Sequence, residues 1–365
     1  MEKLLRAPLK YVQDRGMLNH LLDYVDEKYF RIVLIVDDYV LKNLKQQLLS
    51  SFKDYEVVIL SVSVCTVEVI KDLIRNYDIT PLDLTFGVGG GKVMDVAKGI
   101  SYFSDSEVIL VPSIASTDAP CSSLSALYYE DGSFDRYLYA VRSPLAVFAD
   151  VELIANAPIR YLIAGIGDAL STYVEAKACY ESKTLNCLGY YVTYSALMIA
   201  KASYESIMLY ARKAIEDIGN NKISEAVENI IETNIYLSGI GFESGGLSIA
   251  HSLHNALTKV KSSKQNLHGE IVAYTTLVQL VCNEDEKMFN EAYKLCKDLG
   301  LPLSLKNLGM ELNEELFNII DENCFANHSL ILNVPYMMSI DKLKEAMQYL
   351  ENYTIQLRFS KYSLT

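Results

Sequence analysis

Apolar positions in the first part of the chain come in short β-branched runs that alternate with amphipathic stretches. Arg31 to Val36, RIVLIV, reads as a strand and ends in Asp37-Asp38. Tyr39 to Phe52 has a helical pattern, Glu56 to Val62 reads as a second strand, and Val67 to Tyr77 carries Val67, Ile70 and Ile74 on one side of a helix. Asp83 to Val88 is a third strand that runs into Gly89-Gly90-Gly91; Lys92 to Tyr102 is a helix; Glu107 to Val111 is a fourth strand, stopped by Pro112. Strands and helices alternating at this spacing predict parallel strands joined by crossover helices. In such sheets ligands bind beyond the carboxyl ends of the strands.

From about Arg160 the pattern changes to long helical segments: Gly167 to Cys179, Leu185 to Tyr210, Ile223 to Ser238, Gly245 to Val260, Glu270 to Val281, Asp285 to Leu299, Asn313 to Ala326 and Ile340 to Tyr353. Strand signals nearly vanish. The expectation is an α/β N-terminal domain over 1–158 and an all-α C-terminal domain over 159–365. The boundary falls near Ala157-Pro158, because proline disfavours helix in the residue before it and fits a first helical position.

Length and composition allow this. The 365 residues are enough for two cores, and half of them are apolar with 22% charged, which describes a globular chain. A net charge of −13 argues against a nucleic-acid backbone or an acidic membrane as partner. The first residues lack a signal-peptide apolar core, and no stretch approaches the ~20 apolar residues of a membrane span. Seven scattered cysteines without a CxxC pair read as reduced thiols. The expected location is the cytoplasm.

Five segments carry candidate chemistry. GGLSIAHSLHNALTKVKSSKQNLHGE, Gly245 to Glu270, holds three of the five histidines, His251, His254 and His268. On a helix His251 and His254 share one face; Lys259 to Gln265 reads as a loop before His268. Two imidazoles with a carboxylate from elsewhere would make a zinc-type site with an open position. An ordinary pair of histidines fits the same spacing. In GVGGGKVMDVAKG, Gly87 to Gly99, three glycines between strand and helix suit a phosphate cradle, although a tight turn is the plainer alternative and neither a Walker A loop nor a full GxGxxG is present. Asp37, at a strand end, can accept from ribose hydroxyls; a helix N-cap explains it slightly better, and Asp38 is equally available. Val111 to Gly132 is a long loop of small and hydroxyl residues with Asp118 the only charge in its first half. Asp168, in AGIGDALSTYVEA, is either an N-cap at a helix start or the third ligand beside His251 and His268.

These motifs in this order resemble the glycerol dehydrogenase branch of the iron-containing (group III) alcohol dehydrogenase family. The resemblance rests on GVGGGKVMDVAKG, VPSIASTDAPCSSLSALYYEDGSFDRY, AGIGDALSTYVEA and GFESGGLSIAHSLHNAL followed by LHGEIVAYTTLVQLV, and spans roughly residues 9 to 282. STDAPCS and ESGGLxxAHxxHN are its specific parts. The resemblance implies an α/β dinucleotide-binding domain, an all-helical domain, and an active site in the cleft between them. It implies metal ligands at Asp168, His251 and His268. Many relatives have a further histidine where this chain has Thr172, which favours three protein ligands and zinc over iron. It implies that Asp118 contacts a polyol substrate, and that NAD is bound by Asp37, Gly91, Lys92, Ser113, Ser116, Ser122, Leu124 and Tyr128, with Gly89, Gly90 and Asp95 of the glycine segment added as candidates. His254 is expected to support the ligands or relay a proton. The implied protein is a homo-oligomer, often an octamer, that oxidises glycerol or a related vicinal diol reversibly with NAD and Zn²⁺. Two alternatives stand beside it: a dehydrogenase of a phosphorylated polyol such as sn-glycerol 1-phosphate, which would use a basic cluster such as Lys259, Lys261 and Lys264, and a non-catalytic NAD-binding protein.

Overall fold

The computed structural model describes residues 1–26, 28–129, 134–325 and 329–362. Strands β1 (Lys10–Asp14), β2 (Arg31–Val36), β3 (Glu56–Ser61), β4 (Leu84–Gly89), β5 (Glu107–Pro112) and β8 (Ala146–Asp150) form one six-stranded sheet in the order β1-β8-β5-β4-β2-β3, with every neighbouring pair parallel. Strands β6 (Leu124–Tyr128) and β7 (Phe134–Tyr139) form a separate antiparallel hairpin. The central strands are buried on both faces, as a parallel sheet covered by helices requires. Alternation assigns each residue to a face. Ile32, Leu34 and Val36 of β2 join Leu84, Phe86, Val88 and Phe52 in one core cluster. Val33 and Ile35 point the other way, into a cluster that continues through the helix Gly91–Ser104 to Ile166, Leu253 and Leu277 of the helical half.

The chain leaves β2 for β3 on one side and then crosses back, so that β4 adds to the other side of β2. The strand order therefore reverses between β2 and β4, the place where open α/β sheets form a crevice. Asp37 and Gly89 stand at its two lips.

After β8 the chain is helical. The helices Ile159–Ser182, Tyr194–Gly219, Ser238–Gly245, Ile249–Leu257 and His268–Cys282 surround the candidate histidines. Two close backbone approaches fix this group, one between its helices and one to the loop after β5. A Cβ on Gly269 would lie 1.8 Å from the Ala164 carbonyl oxygen, and one on Gly165 would lie 2.0 Å from the Ala115 carbonyl oxygen. Only glycine permits either approach.

Several expectations change. β6, β7 and β8 follow Pro112 and β1 precedes Arg31–Val36, four strands that the apolar pattern does not predict. β8 is a five-residue AVFAD run too short to show a period, and β1 is half polar because it is an edge strand. Tyr39 to Phe52 is two short helices, Asp38–Asn43 and Lys45–Ser51. Leu185 to Thr193 is not helical: Leu185 and Tyr191 bridge each other, Tyr191 pairs with Lys3, and helix starts at Tyr194 on a Thr193 cap. Lys261–Gln265 is a short 3-10 turn rather than open loop. The ends of two predicted segments, Ala326 and Glu130 to Gly132, lie outside the described residues.

Replacing Gly269 by alanine is expected to cost about 3 kcal/mol or more, because the methyl group meets backbone that has no rotamer to yield. Urea unfolding checks this. An unchanged midpoint would show that the two helices are not in contact.

Candidate active site

The helix Ile159–Ser182 supplies two carboxylates seven residues apart, Asp168 and Glu175, both on its buried face. Asp168 is in the third turn, so the N-cap reading of that residue is overturned; the glycines before it are contact points inside the helix, not a start signal. The close approach at Gly269 brings His268, the first residue of the helix His268–Cys282, to Asp168, with Nε2 3.2 Å from Oδ1. His251 Nε2 lies 3.7 Å from the same oxygen. One ligand atom from each of Asp168, His251 and His268 falls within 4.8 Å of the others.

Glu175 organises the second side. Its Oε1 accepts from the backbone N–H groups of Ser248 (2.8 Å) and His251 (3.0 Å), and so caps the helix that carries His251. Its Oε2 meets His251 Nδ1 at 2.6 Å. A carboxylate beside Nδ1 holds the proton there and leaves Nε2 facing Asp168 with a free lone pair when the ring is neutral. Gln279 steadies the same turn, accepting from Ala250 N–H and donating to Ser248 Oγ, both at 2.8 Å.

The donor set fits a cation. Asp168 is 1% exposed, and neither of its oxygens has a well-formed hydrogen bond, the two imidazoles being close but poorly aligned. Buried polar groups left this way need a partner. Burial alone would raise the Asp168 carboxyl; His268 and His251 outweigh it and hold it below the ordinary value. Burial would lower the His251 ring, but Glu175, then Asp168 and Asp118, carry it up to about 9. His268, with its side chain 36% exposed, forms the open rim.

His254 does not join the ligand set. Its Nδ1 lies 3.0 Å from Asn255 Oδ1, and its ring packs edge-on against His268 with centroids 4.1 Å apart. Burial, then the neighbouring His268 and His251, push it well below the usual histidine range, so it is neutral. Asp118 is buried, and Ser238 Oγ donates to its Oδ2 at 2.8 Å. Burial and the nearby Asp168 charge raise its carboxyl well above the ordinary range. Thr172 is buried, and its hydroxyl pairs with Ser238 Oγ at 2.8 Å.

The candidate cofactor residues fall into two groups. At the crevice mouth, Asp37 does cap a helix, as the plainer reading had it: Oδ1 accepts from Val40 N–H at 2.9 Å, and Oδ2 from Gly90 N–H at 3.3 Å. Gly91 opens the 14-residue helix Gly91–Ser104 with clear space beside it, Lys92 is exposed, and Ser113 N–H donates to Gly89 carbonyl at 2.9 Å. Ser116 is half-buried nearby in sequence. The second group is internal. Ser122 is fully buried and donates to the Ala119 carbonyl at 3.1 Å. Asp95 is buried beside Lys98 at 3.2 Å, and Lys98 Nζ also donates to the carbonyls of Ala119 and Leu124. Tyr128 is half-buried, its phenol pushed up to about 12 by burial and then by Asp95 and Cys65.

Glu175, Lys98 and Ser238 are the residues that sequence reasoning passed over. Glu175 had a usable signal: it follows Asp168 by seven, two helical turns on the same face. Lys98 and Ser238 had none, because their partners are 21 and 120 residues away.

Glu175→Gln is expected to weaken binding of a divalent metal by about 10- to 100-fold, since the amide cannot hold the His251 ring in the same state. Competition against a chromophoric chelator measures it. Unchanged affinity would mean that Glu175 serves only as a helix cap.

The family model for iron-containing alcohol dehydrogenase matches residues 12–158. A glycerol dehydrogenase of Thermotoga maritima is 38% identical, covering 88% of this chain and 90% of that protein. One of Escherichia coli is 35% identical over 97% and 98%. The crystal structure of a probable glycerol dehydrogenase from Sinorhizobium meliloti superposes with a TM-score of 0.90 at 31% identity, covering 98% of this chain and all of that one. Among the described residues no helix is long and apolar enough to cross a membrane. An Asp-His-His cluster with two members buried, beside a parallel sheet with a glycine-lined crevice, in a chain this similar to those proteins over nearly its whole length, is accounted for in one way: the chain belongs to the iron-containing alcohol dehydrogenase family and is an alcohol oxidoreductase.

Proposed function

We propose that the chain interconverts glycerol and dihydroxyacetone with NAD, using zinc held by Asp168, His251 and His268. The observation that carries this reading is the Asp168 carboxylate, buried with no well-formed hydrogen bond and faced by two imidazole Nε2 atoms. Two imidazoles and one carboxylate leave a coordination position for substrate, as catalytic zinc sites do. The Thr172 hydroxyl is engaged by Ser238, which supports three protein ligands. When bound, the metal would supply Lewis acidity that lowers the pKa of a substrate hydroxyl.

The protein groups then divide the work. Glu175 orients His251, and His254, neutral and packed on His268, holds that ring in place. Asp118 accepts from a second substrate hydroxyl and so favours a vicinal diol over a simple alcohol. Bound NAD would supply the acceptor for the hydride from the substrate carbon, with the hydroxyl proton lost to solvent, so that the products would be ketone and NADH. The free N–H groups at Gly91 suit the pyrophosphate, and Asp37 at the β2 end suits a ribose hydroxyl and disfavours a 2′-phosphate.

A phosphorylated polyol suits the site less well. Asp118, Asp168 and Glu175 are all buried there and would repel a phosphate, while Lys259, Lys261 and Lys264 are exposed. A protein that only binds NAD would have no use for a buried Asp168 presented to two histidines.

NADH formation with glycerol and with 1,2-propanediol, followed by absorbance, tests the proposal. Activity should vanish on chelation and return with zinc, and His251→Ala should lower turnover by about a thousandfold or more while the protein stays folded. Near-normal turnover of that variant would refute the metal assignment. Turnover of sn-glycerol 1-phosphate but not glycerol, at full zinc and NAD occupancy, would refute the substrate.

A further inference from the structure

One helical stretch grips the whole loop that carries Asp118. Between the helices Glu225–Glu232 and Ser238–Gly245 the chain makes a π-turn, Thr233–Leu237. Such insertions are common at functional sites. Asn234, in the π-turn, donates through Nδ2 to the Ala115 carbonyl at 3.0 Å. Ser238 donates to Asp118 Oδ2 at 2.8 Å. Gly239 has no room for a Cβ, which would lie 2.9 Å from the Asp118 carbonyl oxygen. Glu243 accepts from Ser123 N–H at 2.7 Å and Ser123 Oγ at 2.5 Å. Residues 234, 238, 239 and 243 thus meet residues 115, 118 and 123 in register, although more than a hundred positions separate the two segments.

Ser238 is the member of this stripe that touches a functional carboxylate. A serine hydroxyl has one hydrogen. That hydrogen goes to Asp118 Oδ2, so the hydrogen in the 2.8 Å Thr172–Ser238 contact belongs to Thr172. The chain runs Thr172 to Ser238 to Asp118. Thr172 sits one turn beyond Asp168 on the same helix, so the carboxylate of the loop is referenced to the helix that holds the ligand carboxylate.

We propose that Ser238, backed by Thr172, is a positioning residue that sets the preference of this enzyme for vicinal diols. It fixes one oxygen of Asp118 and turns the other toward the second hydroxyl of the substrate. The inference rests on the reading of Asp118 as the diol contact. A simple secondary alcohol has no second hydroxyl, so it does not sense Ser238. A hydroxyl pair that merely stabilised the fold would affect both substrates alike.

The test uses the metal-loaded enzyme with saturating NAD and compares kcat/KM for glycerol with that for 2-propanol. Ser238→Ala should lower the glycerol-to-2-propanol ratio by about tenfold or more, the size expected when a buried carboxyl loses a hydrogen-bond partner, with the loss in KM for glycerol. Thr172→Val should lower the ratio by about threefold, and Thr172→Ser, which keeps the hydroxyl, should keep the wild-type ratio. Asp118→Asn serves as the reference and should collapse the ratio. If Asp118→Asn collapses it while Ser238→Ala and Thr172→Val leave it intact, the role of Ser238 is refuted and that of Asp118 stands. If Asp118→Asn leaves the ratio intact, the diol contact itself is refuted. Should Ser238→Ala not fold, the Thr172→Val and Thr172→Ser pair decides.

Discussion

The contact on which the site depends is backbone against backbone. The start of the helix His268–Cys282 lies on the helix Ile159–Ser182 at Gly269 and Ala164, with no side chain between them. That approach sets His268 beside Asp168. A helix pair at ordinary spacing, 8–10 Å between axes, would separate the two groups by a further side-chain layer. The second close approach, at Gly165, ties the same helix to Ala115, at the head of the Asp118 loop. Asp168, His268 and the loop that carries Asp118 are therefore all referenced to one rigid helix. Sites built on rigid elements hold their geometry better than sites built on loops alone.

The electrostatics follow from that crowding. Asp118, Asp168 and Glu175 are buried within one region, together with His251 and His254. Glu175 spends both oxygens on the His251 helix and ring, and Asp118 spends one on Ser238. Asp168 spends neither. Buried carboxylates repel one another and pay for desolvation unless positive charge lies among them. A divalent cation at the Asp168 end meets both demands together. The carboxylate of Glu175 at His251 Nδ1 suits the same arrangement, since it leaves Nε2 facing Asp168.

The sequence reveals these features unevenly. RIVLIV announces a buried parallel strand because every position after Arg31 is apolar, and the glycines that end and follow β4 announce a turn at a strand end. β1 and β8 are hidden: an edge strand is half polar, and AVFAD is too short to show a period. The glycines before Asp168 misled for a physical reason. Glycine ordinarily weakens a helix, so a run containing Gly165 and Gly167 reads as a boundary, whereas here packing of neighbouring backbone compensates for the lost propensity. The identities of Asp168, His251 and His268 came through the resemblance of their motifs to a known family; their convergence depends on the contact at Gly269, which no local pattern encodes. Ser238 and Lys98 were invisible for the same reason, because a hydrogen bond across 120 or 21 residues leaves no mark on periodicity.

The central claim is that Asp168, His251 and His268 hold a metal with room for substrate. X-ray absorption at the zinc edge of the zinc-loaded protein tests it most directly. The account predicts two imidazole shells and light oxygen ligands at about 2.0–2.1 Å, four-coordinate and without sulfur. Sulfur scattering at about 2.3 Å, or an absence of imidazole signal, would place the metal elsewhere and contradict it.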